Sequence, residues 1–275
     1  MAFFWPMPEL PEAETIAQQL RRKVVGKTLA SVTVKDRKIA DARLPGIRGA
    51  KITGVARKGK AIIFELDKER FVLVRLGMTG HFHYYQKGTA PPAEEQKYEM
   101  VTFSFHDGSL LSYNDIRRFG RVQLFLSKEA FQKALAKLGI DVLSSAFTLA
   151  VFRKLLQKRH KTTIKMALMD QALLSGIGNI YAQEALYRAR IDPRRKISTL
   201  SAGEVKKLYT AIIGVLRLAV KKHGTTVENY VHLEGSGGFQ HYLQVYQREK
   251  CPKGHLLKKE YIGGRGTTYC TTCQR

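Results

Sequence analysis

All three cysteines of this 275-residue chain lie within its last twenty-five residues, at spacings that suit a tetrahedral metal ion. From Cys251 the segment reads C-P-K-G-H; a fourteen-residue span holding Gly263-Gly264-Arg265-Gly266 follows, and then C-T-T-C supplies Cys270 and Cys273. Two close pairs separated by a hairpin-length loop let one turn fold onto the other around an ion. The first pair is irregular, because Gly254 stands where a C-x2-C pattern would place its second cysteine, and the nearest ligand is His255. Imidazole binds zinc well, so Cys251, His255, Cys270 and Cys273 form a closed set of three thiolates and one imidazole. Four protein ligands leave no open position, which reads as one structural Zn2+ rather than a catalytic one. The bland alternative is a tail with three free thiols.

Charge narrows the partner. The chain carries 47 Lys+Arg against 23 Asp+Glu, a formal +24. Residues 151–275 hold 23 basic and 8 acidic residues, and residues 1–150 hold 24 and 15. Such an excess attracts polyanions, nucleic acid first, because Lys and Arg release counterions from phosphates. An anionic membrane is disfavoured by the lack of a long apolar run or a lipidation motif. The opening Met1-Ala-Phe-Phe-Trp-Pro lacks a basic n-region. With metal-spaced thiols, the chain reads as cytoplasmic and monomeric, without a membrane partner.

The length predicts more than one core. From Lys27 to about Phe125 the pattern is strand-like. Residues 61–66 and 71–76 flank a charged turn, and 101–105 and 110–113 flank His106-Asp107-Gly108-Ser109. These features predict a β-sandwich, with Tyr84 to Lys97 as a flexible surface loop. After Gly139 the period turns helical. Thr148 caps a helix through Lys158, and a second helical stretch ends at Ser175-Gly176-Ile177-Gly178. A third runs from Asn179 to Arg190, and the capping box Ser201–Glu204 opens a long helix stopped at Gly224. The fold class is therefore α+β and multidomain: residues 1–6 an extension, 7–140 a β-sandwich with a leading helix, 141–240 helical and 241–275 a zinc-ribbon hairpin. A tight Gly-x-Gly turn between helices offers amides to phosphate, a weak signal by itself.

Near the start, Glu9, Glu12 and Glu14 precede a helix, and Pro11 suits its first turn. Read alone, these acids complement the helix dipole.

Pro8-Glu9-Leu10-Pro11-Glu12 resembles the amino terminus of the formamidopyrimidine-DNA glycosylases, bacterial enzymes that excise oxidised purines. Leu76-Gly77-Met78-Thr79-Gly80 resembles that family's strand with an intercalating methionine. Asp115-Ile116-Arg117-Arg118-Phe119-Gly120 resembles its wedge loop. Residues 168–171 and 176–181 resemble its helix-two-turns-helix element, and Gly264-Arg265-Gly266-Thr267 resembles its zinc-finger hairpin. The resemblance implies that Pro8 is the nucleophilic amine and Glu9 the proton shuttle. It also implies that Lys60 and Arg265 contact phosphates at the lesion. Met78 and Phe119 would fill the stack vacated by a flipped base, with Arg117 bonding the estranged partner base; Arg118 would contact DNA, while Lys165, Asn179 and Arg265 would hold backbone around the lesion. The implied partner is double-stranded DNA with oxidised bases or abasic sites. The glycine-rich Val231–Gln240 resembles the family's mobile loop. Composition alone would place Met78 and Phe119 in a core and Lys60 at a solvated strand end.

Three departures bear on this reading. Six residues precede Met7, and a Pro8 nitrogen inside a peptide bond is an amide without nucleophilic character. Translation is expected to begin at Met7, with removal of that residue exposing Pro8. C-x3-H replaces two close cysteines, and Arg75 stands where relatives often carry histidine. The leading expectation is a bifunctional glycosylase/lyase for oxidised purines in base excision repair. An endonuclease VIII-type enzyme for oxidised pyrimidines is the alternative within the fold, opposed by Leu10, by Met78 with Arg117 and Phe119, and by the long glycine-rich loop. A non-catalytic lesion-binding protein would follow if Pro8 were never a terminal amine.

Overall fold

The computed structural model describes residues 8–226 and 232–275. The extension 1–6, Met7 and Val231 of the glycine-rich segment lie outside the described residues. The chain clusters into two compact units, one of residues 1–8, 12–136 and 225–237 and the other of residues 9–11, 137–224 and 238–275. The terminal hairpin therefore counts with the helices.

In the first unit, helix α1 (Leu10–Val24) precedes strand β1 (Leu29–Val34), the hairpin β2 (Ile52–Lys58) and β3 (Ala61–Leu66), then β4 (Arg70–Arg75) and β5 (Gly80–Tyr85). A one-turn helix α2 (Ala93–Gln96) leads to β6 (Glu99–Phe105), β7 (Leu110–Asp115), β8 (Arg121–Phe125) and helix α3 (Lys128–Leu135). Two antiparallel four-stranded sheets result, ordered β1-β6-β7-β5 and β2-β3-β4-β8. The expected sandwich is present. Its core takes alternate residues from both sheets, with Phe64 against Phe82 at 5.9 Å and Phe103 at 6.0 Å between ring centroids, and Ile16 and Leu20 of α1 join it. The unbroken apolar runs of β3 and β4 have a simple cause, since both faces are covered. Ile62 and Phe64 point to the main core, whereas Ile63 and Leu73 pack with Phe131 of α3, whose ring stacks 4.1 Å from Phe71. Alternation is lost wherever a strand has no wet face.

The segment expected to be a flexible surface loop, Tyr84 to Lys97, is exposed over most of its length and ordered at its two ends. β5 runs to Tyr85, and Glu95 of α2 accepts from Asn114 Nδ2 at 2.8 Å. Two prolines and few apolar residues hid a helix that is held by polar contacts.

The second unit contains the short parallel pair β9 (Ile140–Asp141) and β10 (Leu174–Ser175), with α4 (Leu149–Gln157), α5 (Ile164–Met169), α6 (Asn179–Ala189) and α7 (Ala202–Lys221). Thr148 caps α4 by accepting from the Val151 amide at 3.3 Å, and the Ser201–Glu204 box is complete. α5 ends earlier than the sequence suggested, at Met169. The Asp170 side chain accepts from the Ala172 amide at 3.0 Å, and the Gln171 side chain reaches the Met169 and Ile177 carbonyls at 3.0 and 2.6 Å. These side chains replace helical bonds and make the two turns before α6. The last elements are β11 (Lys258–Ile262) and β12 (Arg265–Tyr269), paired antiparallel with Ile262 opposite Arg265. Both intervening glycines are left-handed, Gly263 at φ +59° and Gly264 at +71°. That is the two-residue turn whose twist matches a hairpin.

Candidate DNA-repair site

In the first unit, the segments containing Met78 and Phe119 are tied together by backbone contact. A side-chain carbon on Gly77 would sit 2.7 Å from Phe119 and Gly120 backbone atoms, and one on Gly120 would sit 1.8 Å from the Tyr113 hydroxyl. Only glycine permits these approaches. Asp115, fully buried, bridges the segments by accepting from Thr79 Oγ1 at 2.6 Å and from the Gly120 amide at 2.7 Å. The Arg117 amide donates to Thr79 Oγ1 at 2.9 Å, and its guanidinium lies 4.9 Å from the centre of the Phe119 ring. Phe119 is 55% exposed, so the core-packing reading fails for it. Met78 is half-buried. Arg118 takes a left-handed backbone (φ +55°) and lies 3.5 Å from Asp36.

Lys60 occupies the turn between β2 and β3, after Gly59 at φ +60°. Arg57 braces this hairpin, donating to the Gly59 carbonyl at 2.8 Å and to Glu14 at 2.7 Å. Glu12 accepts from the Thr225 amide at 2.7 Å. In the described part of the glycine-rich segment, Gln19 meets His232 Nδ1 at 2.8 Å and accepts from the Leu233 amide at 3.1 Å. Pro8 is buried.

The second unit explains Glu9. Its carboxylate is 3% exposed and accepts from the amides of Gly178 at 2.7 Å, Ile180 at 2.8 Å and Tyr181 at 3.4 Å. Those donors are the orphan amides opening α6, so Glu9 complements the dipole of a distant helix rather than its own. The Leu10 amide donates to the Gly176 carbonyl at 3.1 Å, and Gly176 (φ +116°) leaves no room for a side chain beside Leu10.

β12 docks on the same helix start. Asn179 Nδ2 donates to the Gly266 carbonyl at 3.0 Å, and Gln183 accepts from the Thr268 amide at 2.7 Å. Lys165, expected to hold DNA backbone around the lesion, is fully buried and donates to Thr267 Oγ1 at 2.6 Å. Burial brings its amine down to about 8, against the pull of Glu9 and with repulsion from Arg265. Lys165 thus fastens the hairpin in this conformation. Arg265 is exposed, beside the hairpin turn. Sequence reasoning missed Asp115, Thr79, Thr267 and Gln183. Gln183 could have been found, because it stands one turn after Asn179 on the same helix face.

The expected ligand cluster assembles. His255 Nδ1 faces three sulfurs, at 3.5 Å from Cys251, 3.7 Å from Cys270 and 3.3 Å from Cys273. A tetrahedral zinc with bonds of about 2.0 Å to nitrogen and 2.3 Å to sulfur would set those separations at about 3.5 Å. Gly254, at φ +83°, makes the turn that lets histidine replace cysteine one residue late. Burial opposes the Cys251 thiolate, but hydrogen bonds from Tyr187 and the Lys253 and His255 amides bring the thiol down to about 6. The four residues fit a metal ion.

The helices of the described residues include none long and apolar enough to cross a membrane. Residues 7–122 match the family model for the formamidopyrimidine-DNA glycosylase N-terminal domain, and residues 138–231 match the model for the H2TH domain of the same enzymes. The formamidopyrimidine-DNA glycosylase of Pelotomaculum thermopropionicum is 38% identical, covering 98% of this chain and 99% of that protein. That of Halalkalibacterium halodurans is 39% identical over 98% and 100%. The crystal structure of the MutM (Fpg) protein from Thermus thermophilus superposes with a TM-score of 0.86 at 36% identity, covering 97% of this chain and 98% of that one. The Lactococcus lactis Fpg in complex with DNA containing an abasic site gives 0.88 at 30% identity, covering 97% and 99%. With both family models matched in order and relatives aligned along nearly their full length, the chain belongs to the formamidopyrimidine-DNA glycosylase family.

Proposed function

We propose that this chain is a bifunctional DNA glycosylase and abasic-site lyase that excises oxidised purines such as 8-oxoguanine and formamidopyrimidines. The observation that carries this reading is Glu9, a buried carboxylate set against three amides immediately after Pro8. An amino-terminal proline is a secondary amine whose unperturbed pKa near ~8 leaves a useful neutral fraction. Its lone pair attacks C1′, the bond from C1′ to the base breaks, and the base departs with that electron pair and a proton. Protonation of O4′ by Glu9 opens the sugar and yields an iminium. Loss of a C2′ proton then expels the 3′ phosphate, and loss of a C4′ proton expels the 5′ phosphate.

Lys60 and Arg265 are assigned to phosphates, Arg117 to the estranged base, and Met78 and Phe119 to the vacated stack. Asn179 and Arg118 are assigned to backbone. The domain roles follow, with residues 7–140 for catalysis, 141–240 for DNA binding and 241–275 for the hairpin. The cluster of Cys251, His255, Cys270 and Cys273 would hold one structural zinc, which supplies folding energy to the hairpin and no catalysis. The setting proposed is cytoplasmic.

The chemistry needs Pro8 as a terminal amine, so its test compares a chain starting at Pro8 with the full 275 residues. Borohydride is expected to trap the Pro8-started protein covalently on DNA containing 8-oxoguanine, and Pro8→Gly to weaken trapping. An untrapped Pro8-started protein overturns the lyase reading, and robust trapping by the full chain assigns the work to another amine.

Phe119→Ala tests the wedge. Because that ring is more than half exposed, the thermal midpoint should stay nearly unchanged, within the ~0.5 kcal/mol usual for surface substitutions. Base extrusion should slow, and by less on DNA already carrying an abasic site, where less stacking must be broken. Equal losses on the two substrates would refute the wedge.

A further inference from the structure

We propose that His81, His83 and Glu95 form a second metal site, in the sandwich unit, for a divalent first-row transition ion of the zinc class. The two histidines alternate on β5 and so project from one face of it. Their ligand atoms and a carboxylate oxygen of Glu95 all lie within 4.8 Å of one another. The rings meet edge to face at 5.0 Å, and His81 Nε2 and His83 Nε2 lie 3.2 and 3.1 Å from the same oxygen, Glu95 Oε2.

The tautomer of His81 is fixed by its other nitrogen. Nδ1 lies 2.9 Å from the Thr79 carbonyl, which can only accept, so Nδ1 carries the hydrogen. In the neutral ring, the Nε2 lone pair then faces a carboxylate lone pair 3.2 Å away, a repulsion that a cation between them relieves. A proton on His81 could serve one such contact. His83 Nε2 is buried 3.1 Å from the same oxygen without a well-aligned hydrogen bond to it. An ion serves all three atoms at once, with bonds near ~2.0–2.2 Å to nitrogen and oxygen.

The supports around the ligands match those of metal sites. His81 is oriented by a backbone carbonyl, and Asn114 Nδ2 holds Glu95 Oε2 at 2.8 Å. The side chains of His81, His83 and Glu95 are 15%, 29% and 33% exposed, so the remaining coordination positions are open to water. Two imidazoles and one carboxylate suit Zn2+, Co2+ or Ni2+ rather than Ca2+ or Mg2+. Occupancy would clamp α2 onto β5 beside Thr79, the residue that also receives the Arg117 amide.

The test titrates Zn2+ into the full chain already carrying one equivalent. Calorimetry should show one further saturable equivalent, and added Co2+ should give visible bands without the thiolate charge transfer of a cysteine site. His83→Gln and Glu95→Gln should each weaken this step by at least about tenfold. In the parent chain, zinc should slow amide exchange chiefly in residues 79–85 and 93–97, a reading that decides the matter even if a variant fails to fold. No second equivalent, undiminished uptake by folded variants, or protection spread away from β5 and α2 would overturn the site.

Discussion

Glu9→Gln is expected to lower excision of 8-oxoguanine by about 10²–10⁴-fold, the range usual for loss of a general acid or base. Trapping on DNA that already carries an abasic site should persist in the same variant. The asymmetry follows from the chemistry proposed for each substrate. Opening a nucleoside needs a proton delivered as C1′ is attacked, whereas an abasic aldehyde needs only the Pro8 amine. Glutamine keeps the size of the side chain but cannot exchange a proton, and its NH2 would face the Gly178 or Ile180 amide, donor against donor. That mismatch should cost about 1–3 kcal/mol, so the thermal midpoint must be measured beside the rates. If excision and abasic-site trapping fell equally at a normal midpoint, Glu9 would be no proton shuttle. If both fell with the midpoint, its role would be to hold the start of α6.

The difference between what could be read early and what could not lies in sequence distance. Thr148 and the Ser201–Glu204 box act within three residues, so their caps were visible in the chain. The hairpin between β6 and β7 was legible from its turn for the same reason. Glu9 was not. Its partners stand 169 to 172 positions away, and nothing local separates an acid serving its own helix from one serving α6. The burial of Lys165 has the same long-range origin, since its amine donates to a threonine 102 positions later. Phe119 resisted composition because aromatic residues are usually buried, and only the backbone contact at Gly77 and Gly120 explains why this one projects. Glu95 lay in a stretch with too few apolar residues to announce a helix. Its order comes from Asn114, which a hydrophobic pattern cannot register. The metal cluster was the most legible long-range feature, because ligand chemistry rather than packing dictates its spacing.

Stripping the zinc proposed for that cluster should therefore have the largest structural effect of any treatment, and a local one. Structural zinc contributes about 10–16 kcal/mol in isolated finger peptides, far more than the hairpin's own contacts can replace. Without it, Cys251, Cys270 and Cys273 lose their common centre, keeping only the packing of Tyr187 and Val245 against them and the Tyr187 hydrogen bond to Cys251. β12 should then loosen from Asn179, Gln183 and Lys165, freeing Arg265 from the position in which Gly266 and Thr267 hold it. DNA affinity should fall, but the sandwich transition should survive, because its core draws no residue from the hairpin. Arg265→Ala should weaken binding with the metal still bound and reduce the salt slope by about one phosphate contact. His255→Ala separates the ligand question from the binding question. Its nitrogen sits 3.3–3.7 Å from all three sulfurs, so metal content should drop below one per chain and chelator resistance should be lost. A full equivalent retained by His255→Ala would show that the fourth ligand is another group, and a sandwich that melts with the metal would show that the hairpin stabilises more than its own unit.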